Sequence, residues 1–400
     1  MHHHPQPFLP DAVFGTTDRA PPQVLAAPSR YIQGDGVLAD LGRYLAILRT
    51  RHAAILISAA GRQRDGARIE HGLRAAGISC LFVNFGGECS QVEIANAVAC
   101  ARDSGAKVDC LIAVGGGKCI DAGKCVAYRL DVVMVSCPSL ASNDAPCSAV
   151  SVIYSAEGVT ESLEFFPANP TLVVVDTRIV AQAPARYLVA GMGDAMATWY
   201  EARTCFDNPN ARNMLGARPT LAAAALGELC AKTLFEHGVA AATAVRRSEV
   251  NDALNHVVEA NTLLSGVGFE SGGLAAAHAL AQGLTVLPRL HANYLHGEMV
   301  AMGLLTQLVL EKHEAEAARM AEFLCAVGLP CYLGHLSLAA SQSADLAAVM
   351  TGTTILPFLA NEPFVVNNEM LLNATLAADR LGRQTVARVG DAAYHALHHG

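Results

Sequence analysis

The chain has 400 residues, of which 52 % are hydrophobic and 16 % charged, with a formal net charge of −8. Such a composition supplies a large core and argues against disorder, and an acidic balance without a basic, aromatic-interleaved run argues against a nucleic-acid partner. The mean hydropathy of +0.30 follows from abundant alanine, because Gly, His, Gln or a charge interrupts every apolar run before it could span a membrane.

Residues 1–28, beginning "MHHHPQPFLPDAVFGTTDRAPPQ", read as a loose Pro-containing extension. No charged n-region precedes an apolar core, so it is not a secretory signal. Its three histidines fit a tag or a native segment equally. Strand and helix signals then alternate. "AAILISAA" (Ala53 to Ala60) predicts a buried strand, and "DGARIEHGLRAAG" (Asp65 to Gly77) a helix. "ISCLFVNF" predicts a strand. "SQVEIANAVACARDSG" predicts a helix with Ser90 as N-cap and Glu93 completing a capping box. "VDCLIAVGGG" and "DVVMVSCP" predict strands around the helix "CIDAGKCVAYRL", and "TLVVVDTRIV" a last strand ahead of Pro184. Near-continuous apolar strands between helices predict a parallel sheet covered on both faces. After Pro184 the stretches "AMATWYEARTCF", "PTLAAAALGELCAKTLFEHG", "EVNDALNHVVEANTLLSGVGF" and "GEMVAMGLLTQLVLEKHEAEAARMAEFLCAVG" all carry helical periodicity. The reading is a Rossmann-like α/β domain over residues 29–183 and an all-α domain over 184–400. The 12 cysteines form no CxxC pair and mostly sit in apolar runs, which predicts free, buried thiols in a reducing, cytoplasmic compartment.

Two stretches carry chemistry in the α/β domain. "AVGGGKCIDAGK" (Ala113 to Lys124) runs from a strand through a glycine turn into a helix. Gly115, Gly116 and Gly117 would let backbone N–H groups approach a phosphate at a helix N-terminus. The spacing matches neither GxGxxG nor a triphosphate loop, so packing glycines in a tight turn explain it as well. "CPSLASNDAPCSAVSVIY" (Cys137 to Tyr154) follows the next strand at the same sheet end. Its small hydroxyl residues Ser139, Ser142, Ser148 and Ser151 could wrap a ribose, or form a plain polar loop with an Asx turn.

The helical domain holds a second candidate. "GMGDAMATWYEA" places Asp194 just ahead of a predicted helix, as an N-cap or as a ligand. Position 197 is Ala, so no capping box supports the cap. His278 and His296 lie in one Gly/Ala-rich segment that also holds His291. One isolated Asp and two histidines point to a metal site of a kind zinc accepts, with a position open for water or substrate oxygen. The histidine spacing is not a local HxxxH, so spacing alone leaves core histidines as an alternative.

The ordered motifs "SRYIQGDGVLADLG", "GGGKCIDAGK", "ASNDAPCSAVSVIY", "GMGDAMATWYEAR", "EANTLLSGVGFESGGLAAAHALAQGLT" and "HANYLHGEMVAMG" resemble the glycerol dehydrogenase family, within the metal-dependent alcohol dehydrogenases called iron-containing. The resemblance implies one catalytic metal, Zn2+ ahead of Fe2+, on Asp194, His278 and His296, with His291 in a supporting place. It implies a dinucleotide site lined by Gly116, Gly117, Lys118, Asp121, Ser139 to Ser142, Ser148, Val150 and Tyr154. Asp144 would contact a substrate hydroxyl, His278 would adjoin the substrate and Phe269 would wall the pocket. The implied activity is NAD-dependent oxidation of a vicinal diol, glycerol to dihydroxyacetone, by zinc-assisted alkoxide formation and hydride transfer. A homo-oligomer, an octamer, is implied too. Alternatives on the same scaffold are dehydrogenases of 2-hydroxy acids or other polyols and a dehydroquinate-synthase-like lyase. One departure concerns Ala59, where the family usually places an Asp that hydrogen-bonds the adenosine ribose. Its loss makes NADP a second cofactor candidate, with Arg62 or Arg64 as partners for a 2′-phosphate.

Overall fold

The computed structural model describes residues 7–17, 19–155 and 160–398. The N-terminal histidines lie outside them. In chain order the first half comprises α1 (Pro10–Phe14), β1 (Arg30–Gly34), α2 (Leu41–Leu45), β2 (His52–Ile57), α3 (Ala59–Ala75), β3 (Ser79–Asn84), α4 (Gln91–Asp103), β4 (Cys110–Gly115), α5 (Gly117–Leu130), β5 (Val133–Pro138), β6 (Val150–Tyr154), β7 (Thr160–Phe165), β8 (Leu172–Asp176) and α6 (Thr177–Ala181). Six strands form one sheet in the order β1-β8-β5-β4-β2-β3, every neighbouring pair parallel. β6 and β7 form a separate antiparallel hairpin.

Side chains of the central strands alternate between two cores. Ala54 and Leu56 of β2 pack with Ile94 of α4 and Ile120 of α5. Ala53, Ile55 and Ile57 pack on the other face with Leu41 of α2 and Ile69 of α3. Both faces are therefore covered, as a parallel sheet requires. Successive strands are added on one side of β2 up to β3 and on the other side from β4 onward, so the winding order reverses between β2 and β4. Such a switch point opens a crevice beyond the carboxyl ends of the two strands, and here those ends carry Ser58–Ala59 and the glycine turn.

Several boundaries differ from expectation. The strand expected to reach Ala60 ends at Ile57, because Ser58 caps α3 by accepting from the Gly61 amide. The strand expected through Val180 ends at Asp176, whose carboxylate accepts from Gly36, Leu38 and Arg178 amides and so caps α6. Ser90 does cap α4, but the Glu93 carboxylate takes the Gly86 amide instead of closing the box. The described part of the extension is docked rather than loose. Phe8 bridges Phe165, and Gln23 bridges Arg218.

The second half comprises α7 (Ala185–Asp207), α8 (Leu221–Arg246), α9 (Asp252–Glu259), α10 (Ser265–Gly272), α11 (Ala276–Leu284), α12 (Pro288–Asn293), α13 (His296–Leu310), α14 (Glu314–Val327), α15 (Ser343–Thr354), α16 (Asn368–Val389) and α17 (Ala392–His398). No strand follows Asp176 among the described residues. The helix expected through Gly328 is two, since Lys312 adopts a left-handed φ of 63° and stops α13. Residues Ala260–Leu264 form a wider π turn between α9 and α10. No helix among the described residues is long and apolar enough to cross a membrane. All 12 cysteines are free, ten of them buried.

Candidate active site

Asp194, His278 and His296 come from α7, α11 and α13 and meet at one point. One ligand atom from each lies within 4.8 Å of the others. Close packing of the three helices makes this possible. A Cβ on Gly297 would stand 1.8 Å from the Ala190 carbonyl oxygen, and one on Gly303 would stand 2.2 Å from that of Ala277. Only glycine lets α13 approach α7 and α11 so closely, and each contact lies within a turn or two of a site histidine. Asp194 is not a cap. It sits mid-way along α7, which starts just after Pro184. The glycines before it, which look like a helix start, are instead interior packing positions.

Asp194 Oδ1 lies 3.2 Å from His278 Nε2 and 3.4 Å from His296 Nε2. The Asp194 and His278 side chains are 1 % and 8 % exposed, whereas His296 is 44 % exposed. The cluster is therefore closed from behind and open at His296. Asp194 Oδ2 is buried without a hydrogen-bond partner, an orphan that a cation would satisfy. One carboxylate and two imidazole nitrogens form a donor set suited to Zn2+ or Fe2+, with coordination positions left open.

Electrostatics fit the same picture. Burial pushes the Asp194 carboxyl up, but His296 and His278 outweigh it and hold the carboxyl low. Burial pushes the His278 imidazole down, yet Glu201 and Asp194 raise it well above its usual value. Asp144, half-buried in the loop before β6, is raised well above the carboxylate range by burial and then by the Asp194 charge. Facing carboxylates of this kind attract positive charge.

The glycine turn forms the other side. Gly116 is the N-cap of α5, and Gly117 its first residue. A Cβ on Gly117 would fall 2.2 Å from Asn143 Nδ2, so the second loop packs directly on the turn. The Ser139 amide donates to the Gly115 carbonyl at 2.9 Å, which keeps Ser139 to Ser142 beside it. Lys118 Nζ pairs with Glu88 at 2.6 Å and lies 4.8 Å from the Tyr154 ring centroid. Tyr154 in turn lies 6.1 Å from the His291 ring. Asp121, Ser148 and Val150 lie deeper and share one partner, Lys124, which is described below. Phe269 of α10 is buried against Val150 and Leu274. Ala59, exposed, is the first residue of α3 beyond the end of β2. Arg62 rests 4.5 Å over the Phe82 ring, and Arg64 pairs with Asp65 at 2.7 Å.

The family described as iron-containing alcohol dehydrogenase matches residues 28–177. A glycerol dehydrogenase of Escherichia coli O6:H1 is 43 % identical over 372 residues, covering 90 % of this chain and 98 % of its own. The chain belongs to the glycerol dehydrogenase family of the iron-containing alcohol dehydrogenases. A glycolaldehyde reductase of Halobacterium salinarum is 41 % identical, covering 90 % of this chain and 98 % of its own. The solved structure of a probable glycerol dehydrogenase from Sinorhizobium meliloti superposes with a TM-score of 0.82 at 38 % identity, covering 90 % of this chain and 99 % of that one.

In this member of the family, four buried groups that support the site escape a reading of the sequence. Lys124 is 4 % exposed. Its ammonium pairs with Asp121 at 2.9 Å and donates to Ala145 O at 3.0 Å, to Ser148 Oγ at 3.3 Å and to the Val150 carbonyl. Asp121 Oδ2 accepts from the Val152 amide. α5 is thus fastened to the hairpin through one lysine. The i,i+3 spacing from Asp121 was the available signal. Glu270 accepts from the Ala149 amide at 3.0 Å and from Asn169 at 2.5 Å, tying the same loop to α10. Glu201 holds His278, and its position seven residues after Asp194, two turns along one helix face, was its signal. Asn261, in the π turn, donates to Ala141 O at 2.9 Å and Leu188 O at 3.0 Å, anchoring the loop to α7.

Proposed function

We propose that the chain oxidises small neutral vicinal diols, glycerol to dihydroxyacetone first among them, with NAD as hydride acceptor. Residues 29–183 serve the dinucleotide and 184–400 the metal and substrate. A divalent ion, zinc in this reading, on Asp194, His278 and His296 would lower the pKa of a substrate hydroxyl, and the nicotinamide would take up the hydride. The chain's own groups do the rest. Helices α7, α11 and α13 exclude water from behind the cluster. Asp144, beside it, hydrogen-bonds the neighbouring hydroxyl of a diol, and Phe269 walls the apolar side. Gly116, Gly117, Lys118 and Ser139 to Ser142 face the dinucleotide, with Asp121, Ser148, Val150 and Tyr154 shaping that wall.

The observation that carries the substrate class is the state of the nearby cations. Lys124 is consumed by Asp121, Arg186 by Glu298 at 2.7 Å, and Arg289 by Asp345 at 2.7 Å. A carboxylate or phosphate substrate needs a cationic clamp, so a 2-hydroxy acid or the substrate of a phosphate-eliminating lyase fits poorly. Engagement of Arg62 and Arg64 likewise supports NAD over NADP. We extend the reading to a cytoplasmic homo-octamer, which light scattering of the purified protein checks. The deciding assay is a panel of glycerol, 1,2-propanediol, glycolaldehyde, lactate and sugar alcohols with each nicotinamide cofactor. Diols with NAD should give the highest kcat/KM, and preferential turnover of lactate would overturn the substrate class.

A further inference from the structure

We infer that Glu201 is a positioning residue that fixes the orientation of the His278 ring, holding Nδ1 so that Nε2 faces the site, and thereby sets how tightly the site holds its metal; this rests on the metal reading above. Glu201 lies on α7 two turns beyond Asp194 and is 0 % exposed. Its two oxygens do different work. Oε1 accepts from the backbone amides of Ala275 at 2.8 Å and His278 at 2.9 Å. These are free donors at the start of α11, for which Ala275, as N-cap, offers no side-chain acceptor. Oε2 lies 2.5 Å from His278 Nδ1. A carboxylate facing Nδ1 makes that nitrogen the N–H donor. Nε2, turned toward Asp194, is then the nitrogen that would give up its proton and offer its lone pair to a metal. The same α7 helix therefore supplies one ligand, Asp194, and the group that sets the direction of a second.

The chemistry makes glutamate specific here. A glutamine at position 201 has one acceptor and one donor end. If its oxygen faces Nδ1, its amide NH2 confronts two backbone N–H groups. If its oxygen caps the backbone, its NH2 donates to Nδ1 and puts the imidazole proton on Nε2, where a metal would bind. Only a carboxylate serves all three donors at once.

The test compares native protein and Glu201→Gln by chelator competition with Zn2+ alone, together with the visible spectrum of the Co2+-loaded form. The expected result is a zinc dissociation constant about ten- to a hundredfold weaker in the variant. An altered Co2+ spectrum and an unchanged NADH dissociation constant should accompany it. A role confined to capping α11 would lower Tm while leaving zinc affinity and the Co2+ spectrum alone, and that result overturns the inference. If Glu201→Gln is not recovered folded, Glu201→Asp is measured instead. Its shorter reach cannot serve Nδ1 and both amides, so zinc should bind at least about fivefold more weakly, and native affinity there also overturns the inference. Native protein that binds no divalent ion overturns the metal reading and this inference together. Native protein that binds zinc, alongside a variant that binds it equally, overturns this one alone.

Discussion

The candidate metal corner and the proposed dinucleotide face adjoin through the loop that carries Ala141 and Asn143 but are built in opposite ways. The corner is made of side chains. Asp194 and Glu201 on α7 and His278 on α11 are buried, and each of their side-chain polar atoms but Asp194 Oδ2 has its partner. The proposed dinucleotide face is made chiefly of backbone and small residues at the carboxyl ends of β2, β4 and β5, and apart from Lys118 its ionisable groups support it from behind. Lys124 and Glu270 grip the hairpin and loop rather than the crevice. A metal needs a few atoms fixed to fractions of an ångström. A dinucleotide needs a long surface that nothing obstructs. Damage to the two regions should therefore separate cleanly, chemistry from folding and affinity.

The largest effect is expected at the corner. Asp194→Ala removes the central carboxylate and should lower kcat/KM by about a thousandfold or more, the equivalent of several kcal/mol of lost charge stabilisation. NADH affinity, read by fluorescence, should stay within about twofold. A parallel loss of NADH binding would show that the two regions are one cooperative unit and end the comparison.

In the other region, Lys124→Met leaves Asp121 buried without its counter-ion, and only the Val152 amide remains for it. Breaking a buried pair of this kind costs about 3–5 kcal/mol. Denaturant melts should show that loss, and zinc content should be unchanged in the protein that remains folded.

The same contrast explains what the sequence could be read for. Asp194, His278 and His296 stand out because isolated polar groups in Gly/Ala-rich segments need a reason to be there. The alternation of apolar strands and helices made the parallel sheet legible. The burial of Glu201 and Lys124 was not, since an ionisable residue on a helix is read as solvated until the elements that cover it are known. Asp194's place in mid-helix was hidden for a related reason. Gly191 and Gly193 look like helix breakers, yet they are where the Ala141 and Gly297 carbonyls approach within 2.3 Å of a notional Cβ. The β6–β7 hairpin was missed because Ser-rich "SAVSVIY" reads as loop, and its partner strand, "TESLEF", lacks the period-2 alternation of a strand, with Glu161 and Glu164 on opposite faces.

A smaller effect tests the dinucleotide edge. Ala59→Asp restores a carboxylate at the end of β2, beside the switch point. A hydrogen bond to a charged acceptor is worth about 1.5–3 kcal/mol, about ten- to a hundredfold in affinity. The ratio of kcat/KM for NAD over NADP should rise by about that factor, with zinc content unchanged. An unmoved ratio would place the ribose away from Ala59.

The smallest effect distinguishes the regions by pH, because each leans on one buried carboxyl that resists ionisation. Behind the metal corner, burial raises Glu362 to about 9, with the Glu311 charge adding, the Ala276 amide opposing and Glu201 adding further. Behind the dinucleotide loop, burial raises Glu270 to about 7, against the Ala149 amide, Asn169 and Lys124. In both cases the folded chain holds a proton that the unfolded chain releases near about 4.3. The unfolded state then binds fewer protons, so stability falls as pH rises. Each contribution is complete below the unfolded value and is lost as pH climbs through the folded one, about 7 for Glu270 and about 9 for Glu362. Glu362→Gln keeps the neutral form at all pH. Its Tm should therefore decline less than the native value throughout pH 5 to 9, by on the order of 3 °C between pH 7 and 9. Glu270→Gln should flatten only the window between pH 5 and 7 and leave that between pH 7 and 9 native-like. Equal slopes in both variants and the native chain would mean that the two carboxyls ionise without cost, and that neither region depends on a buried proton.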